Sequence, residues 1–530
     1  MKKGKMRPIA FILPLVLLGI CIIATMMMGT GFADGVNNLC NALLANFGWL
    51  FDIGVFGITI LAFLVYVSPL GKVKVGGRNA KPKINKLTYF AISLCTILGA
   101  GLPVWGAAEI MAHYSAPPAS EGVAAFSLEA AKFGMRAALM DWTFAPYAVY
   151  ALPTILMAFT FYNMKRKFSL GSILAPLFGD KMDGKLGQVI DGICVFTLVC
   201  GLIASIGTGA ESLIFGVGEL SGGAVTKNAV TLTILVLIIS ATFVISAASG
   251  LMRGIKTLSN FNIYVFAAML AFVFICGPTR DILSMGVESI GNFAQYYIHD
   301  MLNTRALTGD NWAYWWPIFY FAVYLAWALI ASAFLGRISY GFTFKQVATY
   351  TFVWPSVLTG IWMIVYSVTT LKMELDGLGM ADAYAENFGS VVIRMYQNMP
   401  LATITIAVFL VMLFTSFVTA ADSCTNSIAG LCTEGLTQED TEPPVGMKVF
   451  WGILMGVAAL ICMILLDING IKAVCNIGSI PALIIELIGA VALWRILWKP
   501  GKYDTFKEDY DEYGRPLPQE EERLVMDAKV

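Results

Sequence analysis

Two stretches of the 530-residue sequence set aromatic rings at helical spacing inside otherwise apolar segments. One reads Asp141-Trp142-Thr143-Phe144-Ala145-Pro146-Tyr147-Ala148-Val149-Tyr150; the other runs from Trp312-Ala313-Tyr314-Trp315-Trp316-Pro317 to Trp327. Residues three and four apart share a helix face. That rule groups Tyr320, Tyr324 and Trp327, and likewise Thr143, Tyr147 and Tyr150. Ring faces without a nearby acid suit a methylated ammonium, held by cation–π attraction. An aromatic belt at a membrane interface is the competing reading. It accounts for Trp312, Trp315 and Trp316, but less well for Tyr324 and Trp327, which lie several turns further in.

Other residues bear on the same question. Leu98-Gly99-Ala100-Gly101-Leu102-Pro103 places glycines and a proline in mid-segment. Such a stretch loosens a helix and bares carbonyls, which lipid tolerates only inside protein or beside a cavity. Broken helices of this kind mark transporter sites; close packing through small residues explains them equally well. Asp422, in Thr419-Ala420-Ala421-Asp422-Ser423, is a carboxylate in an apolar segment, which is costly and points to function. A helix-terminal hydrogen bond near one membrane face is the favoured expectation for it. The ten cysteines form no C-x-x-C, and His113 and His299 are the only histidines. Zinc, redox and Ser/His chemistry are therefore not expected, and no cofactor is implied.

These residues need apolar scaffolding, and the composition supplies it. Hydrophobic residues make up 58% and charged residues 13%, about half the charge of a soluble domain. The net charge is zero, so no nucleic acid or other polyanion is implied as partner. The expected fold class is an all-α integral membrane protein surrounded by lipid. About twelve segments reach spanning length: 8–28, 49–70, 87–112, 139–162, 187–210, 229–250, 258–278, 313–335, 345–370, 401–432, 447–468 and 473–498. The first is too long, and lacks the small-residue cleavage site, for a signal peptide. Of the 35 Lys and Arg, 27 fall on one side of this arrangement and 8 on the other. Both termini are therefore expected in the cytoplasm, with the protein in the cell membrane. Segments 281–300 and 382–398 read as amphipathic helices lying at the outer interface. Residues 499–530 read as a short, acidic, mobile tail.

Together these motifs resemble the betaine/choline/carnitine transporter (BCCT) family. The resemblance rests on Pro69-Leu70-Gly71-Lys72-Val73-Lys74-Val75-Gly76-Gly77, Trp105-Gly106-Ala107-Ala108-Glu109 leading to His113-Tyr114, Pro146-Tyr147-Ala148-Val149-Tyr150 and Pro176-Leu177-Phe178-Gly179-Asp180. Residues 191–207, Gly254 to Asn260, Gly336 to Gly341 and Ala421-Asp422-Ser423 complete it. It implies two leading helices (8–86, after a cytoplasmic 1–7), then inverted five-helix repeats at 87–280 and 313–498, working by alternating access in a homotrimer. It implies a substrate box of Tyr114, Trp142, Tyr147, Tyr150, Tyr324 and Trp327, beside a flexible Gly99, Ala100 and Gly101.

The departures from the family pattern are specific. Tyrosine stands at 147 and 324, and valine at 323, where tryptophan is usual. Sodium-coupled relatives carry hydroxyls at two adjacent positions; here Thr419 is kept and Ala420 replaces the other. Sodium-independent exchangers fill that place with an arginine at the position of Asn262. The resemblance thus implies Thr419, Asn262 and Leu98 as the residues of an ion or ion-substitute site, which matches neither pattern. Gly101, where choline-type members can carry aspartate, leans towards a zwitterion such as carnitine or glycine betaine. Asp141, where relatives often have histidine, can offset a cation or take a proton; the favoured expectation is a solvated residue at the outer helix end. A carrier for an amino acid or sulfonium compound is the alternative solute class. A membrane enzyme would need paired acids or metal ligands at segment ends, and the sequence shows none.

Overall fold

The computed structural model describes residues 4–98, 101–250, 254–465 and 478–518. Within them the chain is helical, with isolated β-bridges and no strands. The longer helices, in chain order, are α1 (Pro8–Met28), α2 (Thr30–Val67), α3 (Lys86–Leu98), α4 (Gly101–Ser115), α5 (Leu128–Trp142), α6 (Phe144–Ala158), α7 (Lys185–Leu220) and α8 (Ala229–Ala248). They continue as α9 (Gly254–Cys276), α10 (Thr279–Met301), α11 (Pro317–Ile338), α12 (Trp354–Leu375), α13 (Ala402–Leu431), α14 (Val445–Leu465) and α15 (Ser479–Trp498). Among the described residues ten helical segments are long and apolar enough to cross a membrane, or eleven if α3 and α4, inclined at 57°, make one span. Each segment expected from hydropathy is mainly helical over its described residues.

Caps mark where some helices start. The Ser127 hydroxyl accepts from the Ala130 amide at 3.1 Å and opens α5. The Asn228 carboxamide accepts from the Val230 and Thr231 amides and opens α8. Such caps meet backbone donors that a helix leaves without partners. The expected span at 139–162 is two helices, because the chain breaks at Thr143 and α5 begins at Leu128.

Polar contacts gather the loops at two ends of the bundle. At one end Met6 bridges Thr433, Lys74 bridges Thr343, and Arg7 pairs with Asp191 at 2.6 Å. The tail joins this end: Asn163 Nδ2 donates to Asp504 Oδ2 at 2.7 Å, and the Arg78 amide donates to Asp509 at 2.7 Å. Residues 500–518 are therefore not the mobile tail that their charge suggests; Asp504 is buried, and burial pushes its carboxyl above the usual range, opposed by bonds from Tyr510 and Asn163. The rest of the tail lies outside the described residues. At the other end the loops 116–127 and 302–311 meet through Arg305 and Glu121, 2.8 Å apart.

The two amphipathic segments part company. α10 carries Leu283, Val287, Ile290 and Ile298 exposed along one side, as an apolar face towards lipid requires. Segment 382–398 instead forms two short helices, Met380–Glu386 and Ser390–Gln397. The second buries Val391, Val392, Ile393, Met395 and Tyr396 against α4 and α13, and the Tyr396 hydroxyl pairs with that of Tyr366 at 2.8 Å. It packs its apolar residues inside the bundle.

Arg7 and Asp191 hold α1, α7 and the 168–171 turn together. Asp191 also accepts from the Leu170 amide at 2.6 Å and the Ser169 hydroxyl at 2.7 Å, while Arg7 donates to the Leu431 carbonyl at 2.8 Å. Removing one partner of a buried pair strands the other charge, at a cost of roughly 3–5 kcal/mol. Arg7→Ala is expected to lower the thermal midpoint of the purified protein sharply, and Lys167→Ala, at a half-exposed pair with Glu434, to leave it in place. Equal midpoints would show that the Arg7 pair does not hold this end together.

Candidate functional site

The break after α5 builds the site. Pro146 has no N–H to give the Trp142 carbonyl, so the helical ladder stops there. The freed Trp142 carbonyl accepts from the Thr359 hydroxyl of α12 at 2.7 Å, and the Asp141 carbonyl from the Tyr324 hydroxyl of α11 at 3.1 Å. The orphan groups of a buried helix end are thus met by side chains from two other helices. A third link, from the Ser332 hydroxyl to the Tyr150 carbonyl at 3.0 Å, ties α11 to α6.

These bonds bring rings together. Trp142 meets Tyr320 edge-on at 5.5 Å between centroids and Tyr324 at 6.3 Å; Tyr320 stacks on Tyr324 at 5.7 Å; Tyr150 meets Tyr324 at 6.5 Å. Tyr147 is buried one turn before Tyr150, close to Thr359 and Tyr324. Gly101, the first residue of α4, faces the same indole. A Cβ there would lie 3.1 Å from Trp142 Cη2, so glycine lets the α4 backbone approach the ring.

A carboxylate stands in this wall of rings. Glu109 Oε2 accepts from Trp142 Nε1 at 2.6 Å and from the Tyr320 hydroxyl at 2.7 Å, and the residue is fully buried. The sequence put Glu109 in a motif and Tyr320 on the aromatic face, but singled out neither as a site residue. One signal pointed to Tyr320: its i,i+4 spacing to Tyr324. Glu109 gave none, because its partners lie 33 and 211 positions away.

This lattice of rings around a broken helix lies in a chain whose residues 9–502 match the family model described as "BCCT, betaine/carnitine/choline family transporter". The chain belongs to the betaine/carnitine/choline transporter family. It is a multi-pass membrane transporter and not an enzyme. A probable glycine betaine transporter of Desulfitobacterium hafniense is 27% identical, over 88% of this chain and 92% of the relative. An ectoine/hydroxyectoine transporter of Virgibacillus pantothenticus is 28% identical, over 86% and 90%. The glycine betaine transporter OpuD of Bacillus subtilis is 28% identical, over 90% and 92%.

Other residues expected at the site of this family member lie apart from the ring cluster. The Tyr114 hydroxyl donates to the Phe126 carbonyl at 3.0 Å, and its ring packs on Phe126. The Trp327 indole lies against Gly201 of α7, one turn beyond Tyr324. Gly99 and Ala100 lie outside the described residues, as does the Leu98 side chain. Asn262 Oδ1 accepts from Thr415 at 2.6 Å and its Nδ2 donates to Ser416 at 2.9 Å, a turn before Thr419. The Thr419 hydroxyl bonds the carbonyls of Thr415 and Ser416 on its own helix.

Two aspartates differ from expectation. Asp422 is not helix-terminal: α13 continues to Leu431, and the buried carboxylate accepts from Ser246 of α8 and from Asn426 at 2.8 Å. Asp141 is not solvated: it is fully buried, because α5 begins well before the expected segment and carries it inward.

Above the rings lies an ion-paired lid. Arg305 pairs with Glu121 and bonds Ser120, and Arg136 joins Glu121 at 3.2 Å to Asp300 at 2.5 Å. Burial alone would raise the Asp310 carboxyl; the Ser120 hydroxyl, the Trp312 and Ser120 amides and Arg305 together hold it below its usual range. Arg305 also rests over the Trp312 ring at 4.7 Å, and Trp312 Nε1 donates to His113 Nδ1 at 3.4 Å.

The close seat of Trp142 on residue 101 is testable. Gly101→Ala needs the indole to give by a few tenths of an ångström and is expected to move the thermal midpoint little. Gly101→Leu overpacks the contact, at about 1–3 kcal/mol, and is expected to lower the midpoint by several degrees. Equal midpoints would place the indole elsewhere.

Proposed function

We propose that this transporter carries a quaternary-ammonium zwitterion, glycine betaine, carnitine or a similar compound, across the cytoplasmic membrane by alternating access. The observation that carries the reading is the packing of Trp142, Tyr150, Tyr320 and Tyr324 around a broken helix in a membrane-spanning bundle. Rings in such an arrangement attract a methylated cation, more strongly once water is excluded. Tyr147 extends the wall along α6, Trp327 stands one turn beyond Tyr324 on α11, and Tyr114 lies towards the lid. Two of the relatives named above are glycine betaine transporters, in agreement with this class.

In this reading two leading helices precede inverted repeats at 87–280 and 313–498, three copies assemble, and both termini face the cytoplasm. The basic loops that gather at the Arg7 end support that orientation. Coupling is by exchange or by an ion other than one held at Thr419: Asn262 is neutral, and its amide is satisfied by Thr415 and Ser416. A second reading, transport of a cyclic zwitterion without a quaternary nitrogen, is favoured by the ectoine/hydroxyectoine relative.

Counterflow in proteoliposomes tests the proposal. Vesicles preloaded with glycine betaine are expected to take up the labelled compound with or without sodium. Trp142→Ala and Trp327→Ala are expected to abolish saturable uptake, a loss of at least tenfold for a desolvated cation–π contact, while still inserting. Normal uptake by both variants would sink the ring assignment. Inhibition by ectoine but not by trimethylammonium compounds would favour the second reading.

A further inference from the structure

Two carboxyl groups and one imidazole meet where the lid reaches the rings. One polar side-chain atom from each of Glu109, His113 and Asp141 lies within 4.8 Å of the other two, and all three residues are fully buried. Glu109 engages Oε2 with Trp142 and Tyr320. Its Oε1, both Asp141 carboxylate oxygens and His113 Nε2 have no hydrogen-bond partner among the described residues. Two carboxylates this close, without a bonded counter-ion, cannot both stay ionised in a dry interior. We propose that Asp141 and Glu109 form a proton-binding site that shares one exchangeable proton, and that this proton and a positive headgroup in the ring cluster exclude one another.

The neighbours leave the titration to this pair. Trp312 Nε1 donates to His113 Nδ1, which fixes the neutral tautomer with its proton on Nε2, 3.9 Å from Glu109 Oε1. An imidazolium would set N–H against N–H at Trp312. A metal ion at the cluster would need that same Nε2 bare, so the tautomer favours a proton. Asp300 on α10 faces Asp141 but is paired with Arg136. Arg305 is engaged by Glu121 and Asp310. Tyr320, Tyr324 and Tyr384 complete the surroundings, and phenols do not ionise in the working range. Asp141 and Glu109 are therefore the two acids left to hold the proton. A cleft lined by Met140, Asp300, Arg305 and Trp312, the last bonded to His113, lies beside the cluster.

Trp142 links the two sites, because its indole walls the ring cluster while its N–H holds Glu109. A cation over that ring favours the ionised carboxylates and expels the shared proton to the cleft. By reciprocity the bound proton weakens substrate binding by the same factor. This exclusion rests on the rings being the substrate site; the proton site does not.

The test uses full-length protein in proteoliposomes. In a substrate-free infrared pH titration the protonated-carboxyl band is expected in the wild type and lost in Asp141→Asn, while Asp300→Asn keeps it. A band unchanged in Asp141→Asn, or a cluster that responds to added zinc in place of pH, overturns the proton site. Glycine betaine added to the wild type in weak buffer is expected to release protons, and its affinity to fall about tenfold as pH drops through the titration. A pH-independent affinity overturns the exclusion without touching the infrared result, and absence of any betaine binding condemns the ring assignment alone. If Asp141→Asn does not fold, Asp141→Glu keeps an acid there and is expected to shift the band, and a band unchanged in it overturns the proton site.

Discussion

A chain in lipid must satisfy its backbone polar groups from within, since no water stands ready to do so. The break between α5 and α6 is where that demand is most acute. Pro146 withholds an amide, and two carbonyls near the α5 terminus accept from other helices, one from Tyr324 and one from Thr359. Because those hydroxyls come from α11 and α12, the first half of the chain can keep its broken helix only while the second half is docked on it. The ring of Tyr324 is carried along by its hydroxyl. The same contact that makes the break tolerable therefore brings the Tyr324 ring edge-on to Trp142 and Tyr150, and the site is a consequence of how the break is repaired.

Buried charge sorts in the same manner. Asp191 has a guanidinium, a hydroxyl and an amide, and its place is structural. Asp422 has a serine and an asparagine. Glu109 has two donors on one oxygen only, and Asp141 has none at its carboxylate among the described residues. A fully bonded acid is held in place by its surroundings. A half-bonded pair is not, and its charge can change without breaking the fold.

Hydropathy made the helices legible, because an apolar run of spanning length has few other options. The aromatic faces of 143–150 and 320–327 were legible for the same reason: one helix, one period. What failed were the ends. Starting the fourth span at 139 put Asp141 at its mouth, whereas α5 starts at 128 and Asp141 sits at its buried end. Charge density suggested a loose tail, yet Asp504 docks on Asn163, 341 positions earlier. Glu109 could not be assigned from pattern at all, since its meaning lies in which indole and which phenol reach it from distant helices. Local composition carries no information about such partners.

The polar seam between α3, α9 and α13 bears on what can drive transport. Ser416, Thr419 and Ser423 each donate to a carbonyl on their own helix, Thr415 donates to Asn262 Oδ1 on α9 while Asn262 Nδ2 donates to Ser416, and Thr96 meets Ser423. These are neutral groups already paired, and an ion entering there would have to displace bonds that hold three helices in register. A coupling site needs a different affinity in the two states it distinguishes. Groups whose bonding is complete resist such a change, whereas groups with spare capacity can respond to a neighbour's charge. The Glu109 cluster has that spare capacity, and it touches the substrate wall through the Trp142 indole and the Tyr320 hydroxyl. Linkage through side chains bonded directly to the carboxylate requires no rearrangement of the bundle for the headgroup's charge to act on the proton.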